Sequence, residues 1–241
     1  MINLGIKNRY YRRALIPSIV FNLKYLPFEQ AVKLPILVHK LKLICQKGKI
    51  IIDSDKIYRG MIQLGFPRAN TFPNNGITWK NEGKIVFNGS CIIGNDCYVV
   101  VGHQGNLVFG QGSRVNAGSK IVSMCSITIG ANTRFGWGNI IIDSNFHNLY
   151  DIERKTFKSV FSPIVIGDYN WFTTQCFVMQ GVQTPERCIF AARSIVSRAD
   201  NDKFESYCVH GGSPLHVLSR NVMRDYNNDI IRDYTYPQKE K

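Results

Sequence analysis

The stretch PIVIGDYNWFTTQCFVMQGVQTPERCIFAARSIVSRAD, residues 163–200, repeats a unit of six residues. An apolar or small β-branched side chain recurs at every sixth position: Ile166, Phe172, Val178, Thr184, Phe190 and Val196. Neither an α-helix, with a period of 3.6 residues, nor a strand, with a period of two, predicts this recurrence over such a length. Self-similarity at a fixed interval indicates a repeat architecture instead.

The same interval continues towards the N-terminus, at Phe109, Val115, Ile121 and Ile127, and again at Ile129, Phe135 and Ile141. Glycine follows the apolar position in five segments: IGND (93–96), FGQG (109–112), IGAN (129–132), FGWG (135–138) and IGDY (166–169). Glycine, Asn and Asp suit tight corners because they tolerate positive φ or hydrogen-bond to their own backbone. The pattern therefore predicts short flat strands, each with one inward apolar side chain and a corner after it.

The seven cysteines form no metal-binding motif, and two pairs of them follow the repeat. None lies in a CxxC pair, while Cys91 and Cys97 are six residues apart and Cys176 and Cys188 are twelve apart. We interpret them as small core or corner residues rather than ligands. Their odd number, with no secretory signal, predicts reduced thiols in a cytoplasmic protein.

Charge is distributed unevenly along the 241 residues. Hydrophobic residues make up 44% and charged residues 20%, as expected of a globular protein. Residues 1–60 hold twelve Lys and Arg against three acids, so this segment carries +9 of the net +13. Basic residues interleaved with apolar ones suit a membrane surface or another polyanion, and a solvated basic face on a helical cap is the alternative. No nucleic-acid motif is present. The apolar stretch 14–28 is broken by two prolines and a lysine, so it is too short and too interrupted to cross a bilayer.

The repeat resembles that of the hexapeptide-repeat acyltransferases over residues 77–220. Residues 163–200 follow that family's order of aliphatic-Gly-Asp, Trp, turn and Ala-x-Ser, and VHGGSPLHVLSR (209–220) resembles its closing segment. The chain looks most like the maltose/galactoside acetyltransferase group, and residues 16–38 resemble the helical preamble of capsule and colanic-acid members. The resemblance implies a mainly β fold, a left-handed parallel β-helix with an α-rich N-terminal segment and a short C-terminal helical tail. The expected domains are 1–50, 51–217 with a loop insertion at 148–163, and 218–241, with the tail helix at 218–234.

The repeat breaks after Ile141 and resumes at Ile166, and the intervening residues are predicted to form a loop outside the coils. In the resembled family a loop at this place leaves the coil beside the catalytic histidine, which implies that His147 is the general base. An imidazole with an ordinary pKa of about 6.5 can accept a hydroxyl proton and then protonate a leaving thiolate. Asp143 is the predicted orienting partner, with Asp151 and Glu153 as other candidates. No G-x-S-x-G or papain-like motif is present, so direct transfer is favoured over an acyl-enzyme.

The resemblance also implies residues for the acceptor and for acetyl-CoA, the expected donor. Asn116 and Trp171 match family positions at the acceptor. The donor positions are Thr174, Ala192, Ser197, Arg198, His216, Ser219 and Arg220. The sequence departs from the family where Arg193 replaces a small residue, so the phosphate contacts are left open.

The function predicted from the resemblance is acetyl transfer from acetyl-CoA to a sugar hydroxyl in polysaccharide biosynthesis. The expected assembly is a homotrimer with shared active sites, peripheral to the inner membrane face through its basic N-terminus, without metal or nucleic acid. A serine acetyltransferase-like enzyme and a non-catalytic scaffold or membrane-docking protein are the alternatives. A zinc anhydrase is disfavoured because only His103 and His147 lie in the coils. A nucleotidyltransferase is disfavoured because no Gly-rich phosphate loop precedes them.

Overall fold

The computed structural model describes residues 4–67 and 72–226, which form a three-faced parallel β-helix behind two helices. The helices are α1 (Leu4–Tyr25) and α2 (Phe28–Ala31). The coils begin with the first strand at Ile36, ahead of the boundary expected at residue 51. The predicted fold class, mainly β with parallel coils after a helical N-terminal segment, is confirmed.

Successive strands pass from face 1 to face 2 to face 3 and then back to face 1 one coil further on. Face 1 consists of β1 (Ile36–Val38), β4 (Ile62–Phe66), β7 (Cys91–Gly94), β10 (Ser113–Val115), β13 (Arg134–Phe135), β18 (Trp171–Phe172), β21 (Ile189–Phe190), β23 (Cys208–Gly211) and β24 (His216–Arg220). Face 2 consists of β2 (Leu41–Gln46), β5 (Ile77–Asn81), β8 (Cys97–Val101), β11 (Lys120–Ser123), β14 (Ile140–Ile142), β19 (Phe177–Val178) and β22 (Ile195–Val196). Face 3 consists of β3 (Lys49–Ile52), β6 (Lys84–Phe87), β9 (Asn106–Phe109), β12 (Ser126–Ile129), β17 (Ile164–Ile166) and β20 (Gln183–Thr184). Corner 1 joins face 1 to face 2, corner 2 joins face 2 to face 3, and corner 3 joins face 3 to the next face 1.

The six-residue repeat is confirmed, because its marked residues fall on successive faces and point into the core. Phe172 lies in β18 on face 1, Val178 in β19 on face 2 and Thr184 in β20 on face 3, and all three are buried. Parallel pairing keeps equivalent residues in register, so that Phe135 pairs with Phe172 and Phe172 with Phe190. Each inward side chain therefore stacks on its counterpart in the next coil.

Aromatic rings form the centre of this core. The centroids of Phe135 and Phe172 are 4.8 Å apart, those of Phe172 and Phe190 are 4.4 Å apart, and the ring planes within each pair are nearly parallel. His210 continues the stack, 5.5 Å beyond Phe190. The distance between ring centroids follows from the strand spacing, because neighbouring strands lie about 4.8 Å apart. Offset-stacked aromatic rings favour a centroid distance of about this size.

The glycines after the inward residues serve close approach between coils, which corrects the role that the sequence suggests for them. Gly130, Gly136 and Gly167 do not have positive φ. A Cβ on Gly136 would lie 1.7 Å from the carbonyl oxygen of Thr173 in the next coil. Backbone packing, not turn conformation, excludes a side chain at this position.

Positive φ occurs further along each corner, in a column that includes other residue types. At corner 1 this column contains Gly118, Gly138, Gln175 and Arg193, with φ of 73°, 65°, 56° and 61°. A left-handed conformation is uncommon for a residue with a side chain. Here it is fixed by hydrogen bonds between coils, such as the bond from the Arg193 N–H to the Thr174 carbonyl, 2.8 Å long.

Helix α1 closes the N-terminal end of the β-helix. It buries Phe21 and the polar Ser18 and Asn22 against the first coil. The Ser18 hydroxyl accepts a bond from the Val38 N–H at 2.9 Å, and the Asn22 amide exchanges two bonds with the backbone of Ile36. These side chains supply the outer edge of β1 with the partners that a further strand would otherwise provide.

The C-terminal end is closed by a strand rather than the predicted helix at 218–234. The backbone reverses after β23, and β24 pairs antiparallel with it, so residues 218–220 are extended. Residues 221–226 contain no helix, and the rest of the predicted helix lies outside the described residues. The strand is favoured over a helix because β24 supplies hydrogen-bond partners to the backbone of β23 at the end of face 1, where Val209 lies opposite Ser219.

Candidate active site

A β-hairpin leaves the coils at corner 2, within the insertion predicted from the broken repeat. Its strands are β15 (Leu149–Asp151) and β16 (Thr156–Lys158), paired antiparallel. The two ends of the insertion are joined at the coil, where the Ser162 N–H donates to the Asp143 carbonyl at 3.0 Å. The hairpin is therefore held against the β-helix at its base while its strands extend outward.

A cavity of about 630 Å³, which we call the hairpin cleft, lies between the hairpin and the last corner-2 turns. It is lined by Asn145, Leu149, Asp151, Arg154, Thr156, Phe157, Lys158, Ser159, Phe161, Ser162, Met179, Gln180, Ser197, Arg198 and Ala199. The lining includes three cationic side chains, Arg154, Lys158 and Arg198, and one carboxylate, Asp151. The Asp151 carboxylate lies 3.8 Å from the Lys158 ammonium. Exposed aromatic surface and positive charge in one cleft suit a ligand that is amphipathic and anionic.

His147 lies in the chain between two residues that line this cleft, Asn145 and Leu149. Its side chain is exposed, and its backbone N–H donates to the Asn145 side-chain oxygen at 3.3 Å. The bond fixes the turn and leaves the imidazole accessible to a ligand. An imidazole in this position can exchange protons with a bound hydroxyl.

Asp143 does not orient His147, which corrects the predicted partnership. The carboxylate is fully buried and accepts bonds from the backbone N–H groups of Met124 at 2.7 Å and Cys125 at 3.0 Å. The Ser123 hydroxyl lies 3.2 Å from the same carboxylate. Both oxygens are thus engaged by the corner-2 turn of the preceding coil. Asp143 stabilises the point where the insertion begins and supplies no partner to the imidazole.

Ser197 and Arg198 both line the hairpin cleft, so two of the predicted donor residues lie beside the insertion. Ser197 begins a 3₁₀ helix (Arg198–Lys203), and its hydroxyl bonds to the Asp200 carboxylate at 2.6 Å. Burial raises the pKa of Asp200, but hydrogen bonds from Ser197 and Lys203 outweigh it and leave that pKa below its ordinary value. The Ser197 hydroxyl therefore has a structural partner, while Arg198 is exposed towards the cleft.

His216 and Arg220 line a second cavity of about 690 Å³, which we call the tail cavity. Lys203 and the buried His210 also line it. The Arg220 guanidinium makes two bonds to the Glu205 carboxylate, 2.9 Å and 3.1 Å long, and these lower the pKa of Glu205. The tail cavity is basic, although Glu205 compensates one of its charges. Ser219 is exposed on the same strand.

The remaining predicted residues lie elsewhere on the same chain. Asn116, Thr174 and Ala192 are at corner 1, and Trp171 is on face 1. Face 2 separates corner 1 from corner 2, where His147 and the hairpin are. One chain therefore does not bring the predicted acceptor and donor residues together, and their roles stay predictions.

Several residues near these sites were not predicted from the sequence. Arg154 and Lys158 of the cleft were detectable only as basic residues within the loop. Arg224 carried no signal, yet its guanidinium lies 4.6 Å from the centre of the Trp171 ring. That contact depends on the path of residues 221–226 across face 1, which the repeat does not predict.

The four cysteines of the two pairs that follow the repeat are buried and free, which confirms their interpretation as small core residues, while Cys45 and Cys125 are half-buried. Cys91, Cys97, Cys176 and Cys188 are almost fully inaccessible. Burial raises the pKa of the Cys91, Cys97 and Cys188 thiols to about 12, so they stay protonated and poorly nucleophilic. Within residues 4–67 and 72–226, no three His, Cys, Asp or Glu side chains are grouped as metal ligands.

Comparisons with known proteins give a curated relative and similar solved structures. No protein-family profile matches the chain. A curated polysialic acid O-acetyltransferase of Escherichia coli O1:K1 / APEC is 25% identical over 130 residues, which cover 53% of this chain and 41% of that protein. The match thus spans about two fifths of the relative's length.

Two solved structures are similar at low identity. The polySia-specific acetyltransferase NeuO is 18% identical, with a TM-score of 0.47 over 80% of this chain and 92% of that chain. A variant of the N-acyltransferase AntD from Bacillus cereus, in complex with dTDP and coenzyme A, is 10% identical, with a TM-score of 0.38 over 77% and 80%. The curated relative confirms the resemblance to O-acetyltransferases that the sequence predicts. The chain is similar to a polysialic acid O-acetyltransferase across the part that the two share.

Proposed function

We propose that this protein transfers an acetyl group from acetyl-CoA to a sugar hydroxyl of a polysaccharide. The observation that carries the proposal is an exposed histidine, His147, in the chain between Asn145 and Leu149, which line a basic cleft formed by an inserted hairpin and the coils. The similarity to a polysialic acid O-acetyltransferase supports the same chemistry and points to a capsule-like or other surface polysaccharide as acceptor.

In the proposed reaction, His147 removes the proton as the acceptor oxygen attacks the thioester carbonyl carbon. The resulting tetrahedral intermediate collapses, its C–S bond breaks, and the imidazolium returns the proton to the coenzyme A thiolate. Backbone N–H groups of a coil would stabilise the oxyanion. Arg154, Lys158 and Arg198 give the cleft the charge to hold an anionic ligand while this occurs.

We also propose that the active site is shared between copies in a homotrimer. Thr174 and Ala192 lie at corner 1, whereas His147 lies at corner 2, on the other side of face 2. A second chain that places its corner 1 against the hairpin cleft would bring the two sets together. This arrangement accounts for residues of one predicted site lying on two separate edges.

The function is tested by calorimetric titration of acetyl-CoA into the full chain. We expect saturable binding, and we expect coenzyme A release only when a suitable acceptor is present. Polysialic acid, a neutral dextran and L-serine are the acceptors to compare. Turnover with L-serine alone would favour the serine acetyltransferase alternative. If the folded protein does not bind acetyl-CoA, the proposed acetyltransferase activity is wrong, and the non-catalytic scaffold is the alternative that is left.

We further propose that the N-terminal helices dock on the anionic inner face of a membrane. The outer side of α1 exposes Ile16, Val20 and Leu23 by 74%, 58% and 52%, and α2 adds Phe28 at 73%. These residues lie in the segment that carries +9. None of the described helices is long and apolar enough to span a bilayer. An apolar face amid basic residues is suited to lie in the interface, where each Lys or Arg contributes about 1 kcal/mol with anionic lipid.

Sedimentation with lipid vesicles tests this docking. We expect the wild type to pellet with phosphatidylserine-containing vesicles at low salt, and not with phosphatidylcholine vesicles. The double variant Ile16→Glu and Val20→Glu should remain in the supernatant, because it removes apolar surface and adds negative charge. The matched control, Val165→Glu and Ile195→Glu, changes exposed apolar residues on faces 3 and 2 and should still pellet. Equal loss in both variants, or no pelleting of the wild type, would count against the proposal.

A further inference from the structure

Face 1 carries a column of basic and aromatic side chains, of which Trp171 alone is a predicted acceptor residue. Parallel pairing places Arg114 beside Arg134, and Arg134 beside Trp171, at outward-facing positions of neighbouring strands. With about 4.8 Å between strands, these three side chains extend over about 10 Å along the helix axis. Arg224 lies over the Trp171 ring and continues the column. We call these four residues the face-1 strip.

A cavity of about 380 Å³ adjoins the strip at Arg114 and Arg134. Its polar lining includes the side chains of Gln63, Gln111 and Asn132, and among the described residues that line it there is no Asp or Glu. Amides and hydroxyls with two guanidinium groups offer donors to hydroxyl and carboxylate oxygens alike. A polar cavity without acidic residues suits an anionic, hydroxyl-rich ligand.

The individual contacts show which groups are placed for such a ligand. Arg114 is exposed on β10 and has no ion-pair partner among the described residues. Arg134 donates to the carbonyl of Gly112, which holds its guanidinium at the cavity wall. Trp171 is half-buried, and Arg224 packs at 4.6 Å from its ring centre. Guanidinium groups bind carboxylates through two parallel hydrogen bonds, and Arg114 is the exposed guanidinium of the strip.

We propose that the face-1 strip binds a run of an acidic polysaccharide, a polymer whose sugars carry carboxylates. The inference rests on the proposed function, because it assigns the acceptor polymer a second contact away from the hairpin cleft. The exposed Arg114 can meet a carboxylate of the polymer, while the cavity holds the hydroxyls of one sugar. The net charge of +13 favours the same class of polymer over a neutral one.

The test compares two single substitutions that each remove one positive charge from an exposed strand position. Arg114→Gln changes the strip, and Lys84→Gln is the matched control on face 3. The probe is polysialic acid, titrated calorimetrically, with acetyl-CoA titrated separately into each protein. We expect Arg114→Gln to weaken polymer binding by about tenfold to a hundredfold, as for the loss of a charge-assisted hydrogen bond. Lys84→Gln should bind like the wild type, and acetyl-CoA affinity should stay constant in all three proteins.

The outcomes separate this inference from the proposed function. Unchanged polymer affinity in Arg114→Gln, with acetyl-CoA binding intact, would overturn the strip alone. If the protein binds the polymer through Arg114 but does not bind acetyl-CoA, the proposed acetyl transfer is wrong and the proposed polymer binding by the face-1 strip is kept. Three further results would each overturn the assignment. The first is an equal loss of polymer affinity in both variants, and the second is an equal affinity for neutral dextran or for a DNA oligonucleotide. The third is a changed oligomeric state of Arg114→Gln, measured by light scattering.

Discussion

Replacing His147 with alanine is expected to lower kcat/KM for acetyl transfer by about 10²- to 10⁴-fold, the usual contribution of a general base. The side chain is exposed, so its removal should leave the fold and the affinity for acetyl-CoA unchanged. The measurement is the steady-state rate of thiol release with a polysaccharide acceptor. Calorimetry on the same samples would show that the loss lies in the chemical step.

His103→Ala is the matched control, because His103 is also an exposed histidine at corner 2. Its side chain is 79% exposed and lies 3.8 Å from the Glu82 carboxylate, two coils before His147. The alanine variant should transfer acetyl at the wild-type rate. Activity in His147→Ala that stays within a few-fold of wild type would rule out the proposed base. An equal loss in His103→Ala would indicate a general effect of corner 2 rather than proton transfer.

Phe172→Ala is expected to produce the largest loss of stability, about 3–5 kcal/mol in the free energy of unfolding. Phe172 is fully buried and stacked between Phe135 and Phe190, with centroid distances of 4.8 Å and 4.4 Å. Strands on either side are fixed by their hydrogen bonds, so the coils cannot collapse into the cavity left by the ring. The measurement is the urea midpoint and slope from circular dichroism.

Phe157→Ala provides the comparison, because Phe157 is in the hairpin and 71% exposed. Its removal should change the free energy of unfolding by no more than about 0.5 kcal/mol. A loss in Phe172→Ala as small as that in Phe157→Ala would mean that the aromatic stack contributes little to the β-helix. A changed slope in urea would indicate that single coils unfold separately and would require the transition to be analysed in parts.

The coils could be predicted from the sequence because one physical rule governs every strand. At each interval of six the chain needs one inward apolar side chain, and Phe172, Val178 and Thr184 satisfy that need on three successive faces. The reason for the glycines could not be predicted in the same way. Gly136 is required by a carbonyl in the next coil, at Thr173, and a contact between coils is invisible to a local pattern.

The candidate site was predictable only where it is local in sequence. The broken repeat located the hairpin and, through the resemblance, His147. Asp143 illustrates the limit. It lies four residues before His147 and therefore suggests a partner for the imidazole. Its hydrogen bonds, however, are to Met124 and Cys125 in the previous coil. Likewise, Arg224 reaches Trp171 only because the chain folds back across face 1. Partners that depend on the stacking of coils need the three-dimensional structure.

The two closed ends of the β-helix determine whether copies of this protein can polymerise. A parallel coil ends in strands whose free backbone groups could template the first coil of another molecule, which is how β-rich chains grow into fibres. At one end the side chains of Ser18 and Asn22 occupy the edge of β1. At the other end, β24 runs in the opposite direction and carries the exposed His216 and Arg220. A chain that lost α1 would present Ile36 to Val38 as an unprotected edge, so the same helix that is proposed to dock on lipid also limits fibrillar self-assembly.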